Sequence, residues 1–144
     1  MTQAQNYSNH VRWFPLFHFV ISPLLLILLI WQAMRLYQEP SQGNALLLLL
    51  IFVVALIGLA ARVQALRAQD RVIRLEERLR YRELLDADTA VKAADLPVSR
   101  IIAMRFASDA ELPDLVRRVI ARELESPKAI KLAIKDWRGD HLRV

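Results

Sequence analysis

Ala45-Leu-Leu-Leu-Leu-Leu-Ile-Phe-Val-Val-Ala-Leu-Ile-Gly-Leu-Ala-Ala61 has no charged or amide side chain. It runs straight into Arg62-Val-Gln-Ala-Leu-Arg-Ala-Gln-Asp-Arg71 with no Pro or Gly at the junction. The residues that follow, up to Leu85, are strong helix formers. The pattern predicts one unbroken helix over residues 44–85, entering lipid at one end and water at the other. At about 1.5 Å per residue such a helix extends about 63 Å, twice the roughly 30 Å of a bilayer's hydrocarbon core.

A second apolar run, residues 13–34, precedes it. Its length fits a span better than a secretory leader, and no Ala-x-Ala follows it. Pro15 suits a first helical turn, and Pro23 inside the run predicts a bend. Trp13, Phe14, Trp31 and Tyr37 stand where aromatic side chains anchor a helix at two interfaces. Between the runs lies Gln38-Glu-Pro-Ser-Gln-Gly43, a turn too short for anything but an antiparallel hairpin.

The 144 residues carry a net charge of +5, and 55% of them are hydrophobic. The apolar excess lies before residue 62 and the basic residues lie almost wholly after it. That placement suits anionic lipid headgroups better than nucleic acid. Arg35 alone flanks the turn, while Arg12, Arg62, Arg67, Arg71, Arg74, Arg78, Arg80 and Arg82 lie towards the other end. The positive-inside rule then puts both termini in the cytoplasm and residues 38–43 outside it.

Gly58, Ala61, Ala65 and Ala68 form a small-residue stripe on the second helix, and Val72, Leu75 and Leu79 continue it at heptad spacing until Arg82. The stripe is a helix-packing interface, either for the chain's own elements or for another helix. Residues 86–96 read as a linker. Three short helices are expected in residues 97–144: one after Pro97, one opened by the capping box Ser108-Asp-Ala-Glu111, and one from Pro127 to a stop at Gly139. On the last helix Lys128, Lys131, Lys135 and Arg138 are expected on one side, opposite Ile130, Ile134 and Trp137. With Arg62, Arg67, Arg71 and Arg74 they are the candidate contacts for lipid headgroups or a partner. A tail this small should dock on the Arg-rich helix, on membrane or on another protein.

Catalytic patterns are not evident. The chain has no cysteine, three glycines and three histidines without metal-ligand spacing. Glu76 and Glu77 read as surface partners of neighbouring arginines. Arg138-Gly-Asp140 reads as a chance match to an adhesion tripeptide. His18, among Phe14, Phe17 and Phe19, is the one candidate ligand, for a haem or similar pigment; otherwise no cofactor and no metal is expected.

Four segments together carry a family likeness: Gln5-Asn6-x-x-Asn9-His10; Asp70-Arg-Val-Ile-Arg-Leu-Glu-Glu-Arg-Leu79; Arg105-Phe-Ala-Ser-Asp109 with Glu111-Leu-Pro113; and Ile130-Lys-x-Ala-Ile-Lys-x-Trp-Arg138 with His141-Leu-Arg-Val144. The chain resembles, over its length, a bacterial family of two-span membrane proteins classed as a domain of unknown function. The resemblance implies a bacterial inner-membrane protein and no particular activity.

The expected fold is an all-α membrane protein. Its parts are an N-terminal segment (1–12), a first span (13–37), a turn (38–43), a second span (44–66), an Arg-rich extension (67–85), a linker (86–96) and a helical tail (97–144). The expected role is that of a non-catalytic accessory or scaffold subunit of a larger membrane complex, such as a photosynthetic or respiratory one. One alternative is a self-associating membrane-surface module that binds anionic lipid or a soluble partner. The other is a pigment- or haem-binding span using His18. Expected partners are other membrane subunits, anionic lipid or a second copy, and not nucleic acid.

Overall fold

The computed structural model describes residues 5–9 and 13–140. The readings that involve His10, Arg12 and His141 to Val144 lie outside these residues. The described residues are helical, with no β-strand among them, and form two units: residues 12–66, and residues 67–144 together with residues 1–11.

The first unit is a helical hairpin. A π-helical turn, Leu16–Ile21, leads into α1, Ser22–Gln38. The wide turn lies directly before Pro23. Proline has no N–H, and in a regular α-helix its ring would collide with the carbonyl four residues back. Here the turn opens instead: the Ser22 backbone N–H and its Oγ, the latter at 2.8 Å, both donate to the Phe17 carbonyl.

The connecting turn is shorter than expected, because Gln42 and Gly43 already belong to α2, Gln42–Leu84. Ser41 caps α2, its Oγ accepting the Asn44 N–H at 3.2 Å. Asn44 Nδ2 donates to the Glu39 carbonyl at 2.8 Å, and Gln32 Nε2 donates to the Asn44 carbonyl at 3.1 Å. Gln32 is buried in this network. An amide inside an apolar run costs free energy unless it is bonded, and here it ties α1 to the start of α2. Sequence reading passed over Gln32; the signal was an amide standing alone in an apolar run.

The covered positions of the π-helical turn and α1 are Phe17, His18, Ser22, Leu25, Leu29, Gln32 and Leu36, and those of the α2 portion are Asn44, Leu48, Ile51, Ala55, Gly58 and Arg62. Both sets recur every three or four residues, so each helix turns one face to its neighbour. Their other faces carry exposed Leu, Ile, Val and Phe. The continuous helical stretch Leu16–Gln38, made of the π-helical turn and α1, and the helix α2 are each long and apolar enough to cross a membrane.

α2 has 43 residues and continues through Arg62 without a break. Its distal portion supports the second unit. Asp86 ends it and opens α3, Ala87–Ala94, by accepting the Thr89 N–H at 3.0 Å. Residues 86–96, read as a linker, are therefore mostly helix. Asp86 is an N-cap, and Ala87, Ala90, Ala93 and Ala94 after it are the strongest of helix formers. The cap hydrogen bond also holds the Asp86 carboxyl below its ordinary pKa.

α4, Val98–Met104, α5, Leu112–Ile120, and α6, Pro127–Ala133, complete the unit. Ser108 Oγ accepts the Glu111 N–H at 3.3 Å, which is half of the expected capping box, and the helix proper starts at Leu112 with Pro113 in its first turn. α5 ends in a Schellman motif, with Glu123 N–H donating to the Arg118 carbonyl and Arg122 at φ 62°. The core gathers Tyr81, Ile101, Met104, Phe106, Leu112, Leu115, Val116, Val119 and Ile130. The tail thus completes its core with a side chain from α2, which answers the small size of the tail alone.

The last expected helix stops early. Ile134 to Arg138 is not helical; Trp137 pairs with Ala107 in an isolated antiparallel bridge. Ser108 N–H donates to the Asp136 carbonyl at 3.0 Å and Arg138 N–H to the Phe106 carbonyl at 2.7 Å. Glu111, free of its capping-box role, accepts the N–H groups of Lys135 and Asp136 at 3.0 Å each. These tertiary bonds outbid one more helical turn. In consequence Lys128, Lys131, Lys135 and Arg138 do not share a helical face.

Candidate functional site

The portion of α2 in the second unit presents two contrasting faces. Ile73, Glu77, Arg80 and Tyr81 are at most 8% exposed and carry the tail. At 100° per residue these positions cluster on one side, and Ala68, Val72, Leu75 and Leu79 on nearly the opposite one. Val72 is 54% exposed, Leu75 61% and Leu79 52%. The packing-interface residues of this unit therefore stay exposed, although Leu79 also borders a cleft that Arg138 and Asp140 line. Within the other unit, Gly58 falls on the partly covered hairpin stripe, while Ala61 and Ala65 are exposed. A Cβ on Gly58 would meet nothing within 4 Å, so close helix approach inside the chain does not need that glycine.

The buried face carries an ion network. Arg80, 8% exposed, donates from Nε to Asp109 Oδ1 at 2.7 Å and from Nη2 to the Ala107 carbonyl at 2.7 Å. Its Nη1 lies 3.4 Å from Glu77 Oε2. Glu77 is buried, contrary to its reading as a surface residue; Glu76, its neighbour, is exposed. Burial raises the Glu77 pKa, and Arg80 and Arg138 oppose that shift. Burial, reinforced by the Glu77 charge, raises the Tyr81 pKa as well. Arg105 is also buried; its Nε lies 3.0 Å from Asp140 Oδ2 and its guanidinium 4.4 Å from the Phe106 ring centre. Gln5 clasps Asp140, donating to its carbonyl and accepting its N–H. Arg138-Gly-Asp140 thus closes over a charged cleft of about 590 Å³ lined by Glu76, Glu77, Arg80, Glu83, Arg105 and Asp109. Within it Arg80 pairs with Glu77 and Asp109, and Arg105 with Asp140.

Arg67 and Arg71 are exposed and Arg74 half-buried around a groove of about 300 Å³ that Asp70 and Val98 also line. Arg62 is half-buried in the hairpin unit. Lys128, Lys135 and Arg138 are exposed. Lys131 is half-buried, with its ammonium 5.7 Å from the Phe106 ring centre. Trp137 lies against the same ring, 5.1 Å between centres, so Phe106, just beyond α4, is its platform.

His18 Nδ1 lies 3.0 Å from the Phe14 carbonyl, and the imidazole meets Trp13 edge-on at 4.8 Å. A carbonyl only accepts, so Nδ1 is the donor, and the neutral form of the ring then leaves its lone pair on Nε2. Among the described residues no three His, Cys, Asp or Glu side chains group to hold a metal ion.

These features define an all-helical chain with two helices of membrane-crossing length and apolarity, one of which continues as the support of a small helical unit. The chain belongs to a family of unknown function, DUF6526, whose model matches residues 1–144. No curated protein and no solved structure matches it.

Proposed function

We propose that the protein is a non-catalytic accessory subunit of a larger bacterial inner-membrane complex, with residues 13–37 and 44–66 crossing the membrane and both termini in the cytoplasm. The observation that carries the reading is the exposed apolar face of α2 at Val72, Leu75 and Leu79. A helix that has already seated its own tail on one side, and keeps an apolar row on the other, has a surface for another helix. The exposed apolar sides of the hairpin support a lipid setting, and the arginine distribution supports the orientation. Exposed Arg67 and Arg71 suit headgroups or an acidic partner surface.

Extraction from native membranes in mild detergent tests this. The protein should co-migrate with other polypeptides on a native gel. Leu75→Asp should release it, weakening assembly by about 2–4 kcal/mol, because the contact would bury an unpaired charge. Reporters at both termini should read cytoplasm. Migration as a lone chain, unchanged by Leu75→Asp, refutes the proposal.

The orientation of His18 supports a second reading, a span that binds haem or a related pigment through Nε2. His18→Leu should then remove a visible absorption band without loss of insertion. A colourless preparation of the wild-type complex ends that reading.

A further inference from the structure

We infer that the exposed face of α2 binds a second copy of the same chain, in parallel and in register. The inference rests on the reading of that face as an assembly surface and names its occupant. With Val72 and Leu79 at a positions and Ala68 and Leu75 at d, the flanking charges fall into order. Arg71 and Arg78 occupy g; Glu76 and Glu83 occupy e.

In a parallel in-register pair each g side chain faces the e side chain five residues on in the other copy. Arg71 then faces Glu76, and Arg78 faces Glu83, each twice by symmetry. In an antiparallel pair g faces g and e faces e, so arginine meets arginine and glutamate meets glutamate. The charges thus select one orientation, and self-pairing satisfies all of them at once.

The structure leaves these groups placed for it. Arg71, Glu76 and Glu83 are exposed, and among the described residues neither glutamate forms an ion pair. Arg78 is half-buried and already donates one Nη2 bond to the Ala94 carbonyl at 3.0 Å, so Arg71–Glu76 is the principal pair. The tail packs on the Ile73, Glu77, Arg80 and Tyr81 side of the helix and leaves Val72, Leu75 and Leu79 more than half exposed, with Glu76, Leu79 and Glu83 at the edge of the cleft beside Arg138 and Asp140. Arg82 at the next d position sets two arginines face to face and ends the seam, and Ala68 at the near end permits close approach.

The chain has no cysteine, so single-cysteine variants report symmetry directly. In native membranes Ala68→Cys and Leu79→Cys should each oxidise to a disulfide-linked homodimer, and Val91→Cys, exposed on α3, should not. In the Leu79→Cys background, Arg71→Glu or Glu76→Arg should lower dimer yield about three- to tenfold, and the two reversals together should restore it. Residues 71 and 76 are not neighbours on one helix, so the rescue reports contact between chains.

Dimers at only one of the two positions would overturn the parallel register. Failure of the double reversal to restore the dimer would overturn the charge pairing. No homodimer at either position, while Leu75→Asp still releases the protein from other polypeptides, would overturn self-pairing and leave the accessory-subunit reading standing. No homodimer together with migration as a lone chain would overturn both.

Discussion

Arg80 holds Asp109 at 2.7 Å across 29 residues of sequence, and with the same guanidinium reaches the Ala107 carbonyl and the Glu77 carboxylate. One side chain of α2 therefore fixes the α4–α5 connection to the long helix. The two partners differ in kind. Glu77 is buried, whereas the Asp109 side chain is 66% exposed.

That difference ranks two substitutions. Arg80→Ala leaves Glu77 buried with its nearest countercharge gone and should cost about 3–5 kcal/mol. Asp109→Asn leaves a solvated partner and should cost about 1 kcal/mol or less. Chemical denaturation of the full chain in detergent, followed by Tyr and Trp fluorescence, measures both. Equal losses would contradict the ranking.

Glu77 also predicts a pH dependence. Its folded pKa lies above the ordinary value of 4.5, with burial the main cause. In the window just above 4.5 the folded state holds more protons at this site than the unfolded state. Stability from this group is therefore greatest below 4.5 and declines as pH rises through the folded pKa. Asp86 acts with the opposite sign: its folded pKa is lowered, so its contribution is present above 3.8 and is lost as pH falls through the folded value. Glu77→Gln should flatten the decline above 4.5 and leave the acid limb from Asp86. A wild-type profile that rises with pH in that window, and is unchanged by Glu77→Gln, would contradict the assignment.

The segment after α6 predicts a contrast between a ring and a charge. Trp137→Ala removes the half-buried ring stacked on Phe106 and should cost about 2 kcal/mol. Lys135→Glu should change stability by about 0.5 kcal/mol or less, because Glu111 grips the Lys135 backbone and the side chain is exposed. Thermal unfolding compares the two. A larger loss from Lys135→Glu would mean that the charged surface, and not the ring, secures this segment.

Two opposite exchanges of glycine should both stabilise. Gly58→Ala adds a Cβ where nothing lies within 4 Å and should gain about 0.5–1 kcal/mol of helix propensity. Arg122→Gly places glycine at φ 62°, where a side chain is strained, and should gain about 1 kcal/mol. Urea titration of the full chain in detergent reads both changes. A loss at Gly58 without a change at Arg122 would show that the glycine serves a contact with another chain.

The sequence by itself determined the long helix, the short hairpin turn and the two apolar runs. These follow from local causes: helix propensity without a breaker at Arg62, and runs of side chains matched to a bilayer's thickness. It also marked most of the helix starts of the tail, because Ser108, Ser126 and Pro127 act through neighbours a few residues away. What the sequence left open was which side of α2 the tail would occupy, since charged and apolar residues lie on both sides of that helix. Tertiary structure decided it by burying Glu77 and Arg80 with Tyr81, and so left Val72, Leu75 and Leu79 outside. Tertiary structure also ended α6 at Ala133, because Glu111 and the Ala107–Trp137 bridge supplied the hydrogen bonds that another helical turn would have made. Both outcomes depend on partners distant in the chain, and a pattern of three- and four-residue spacings cannot specify them.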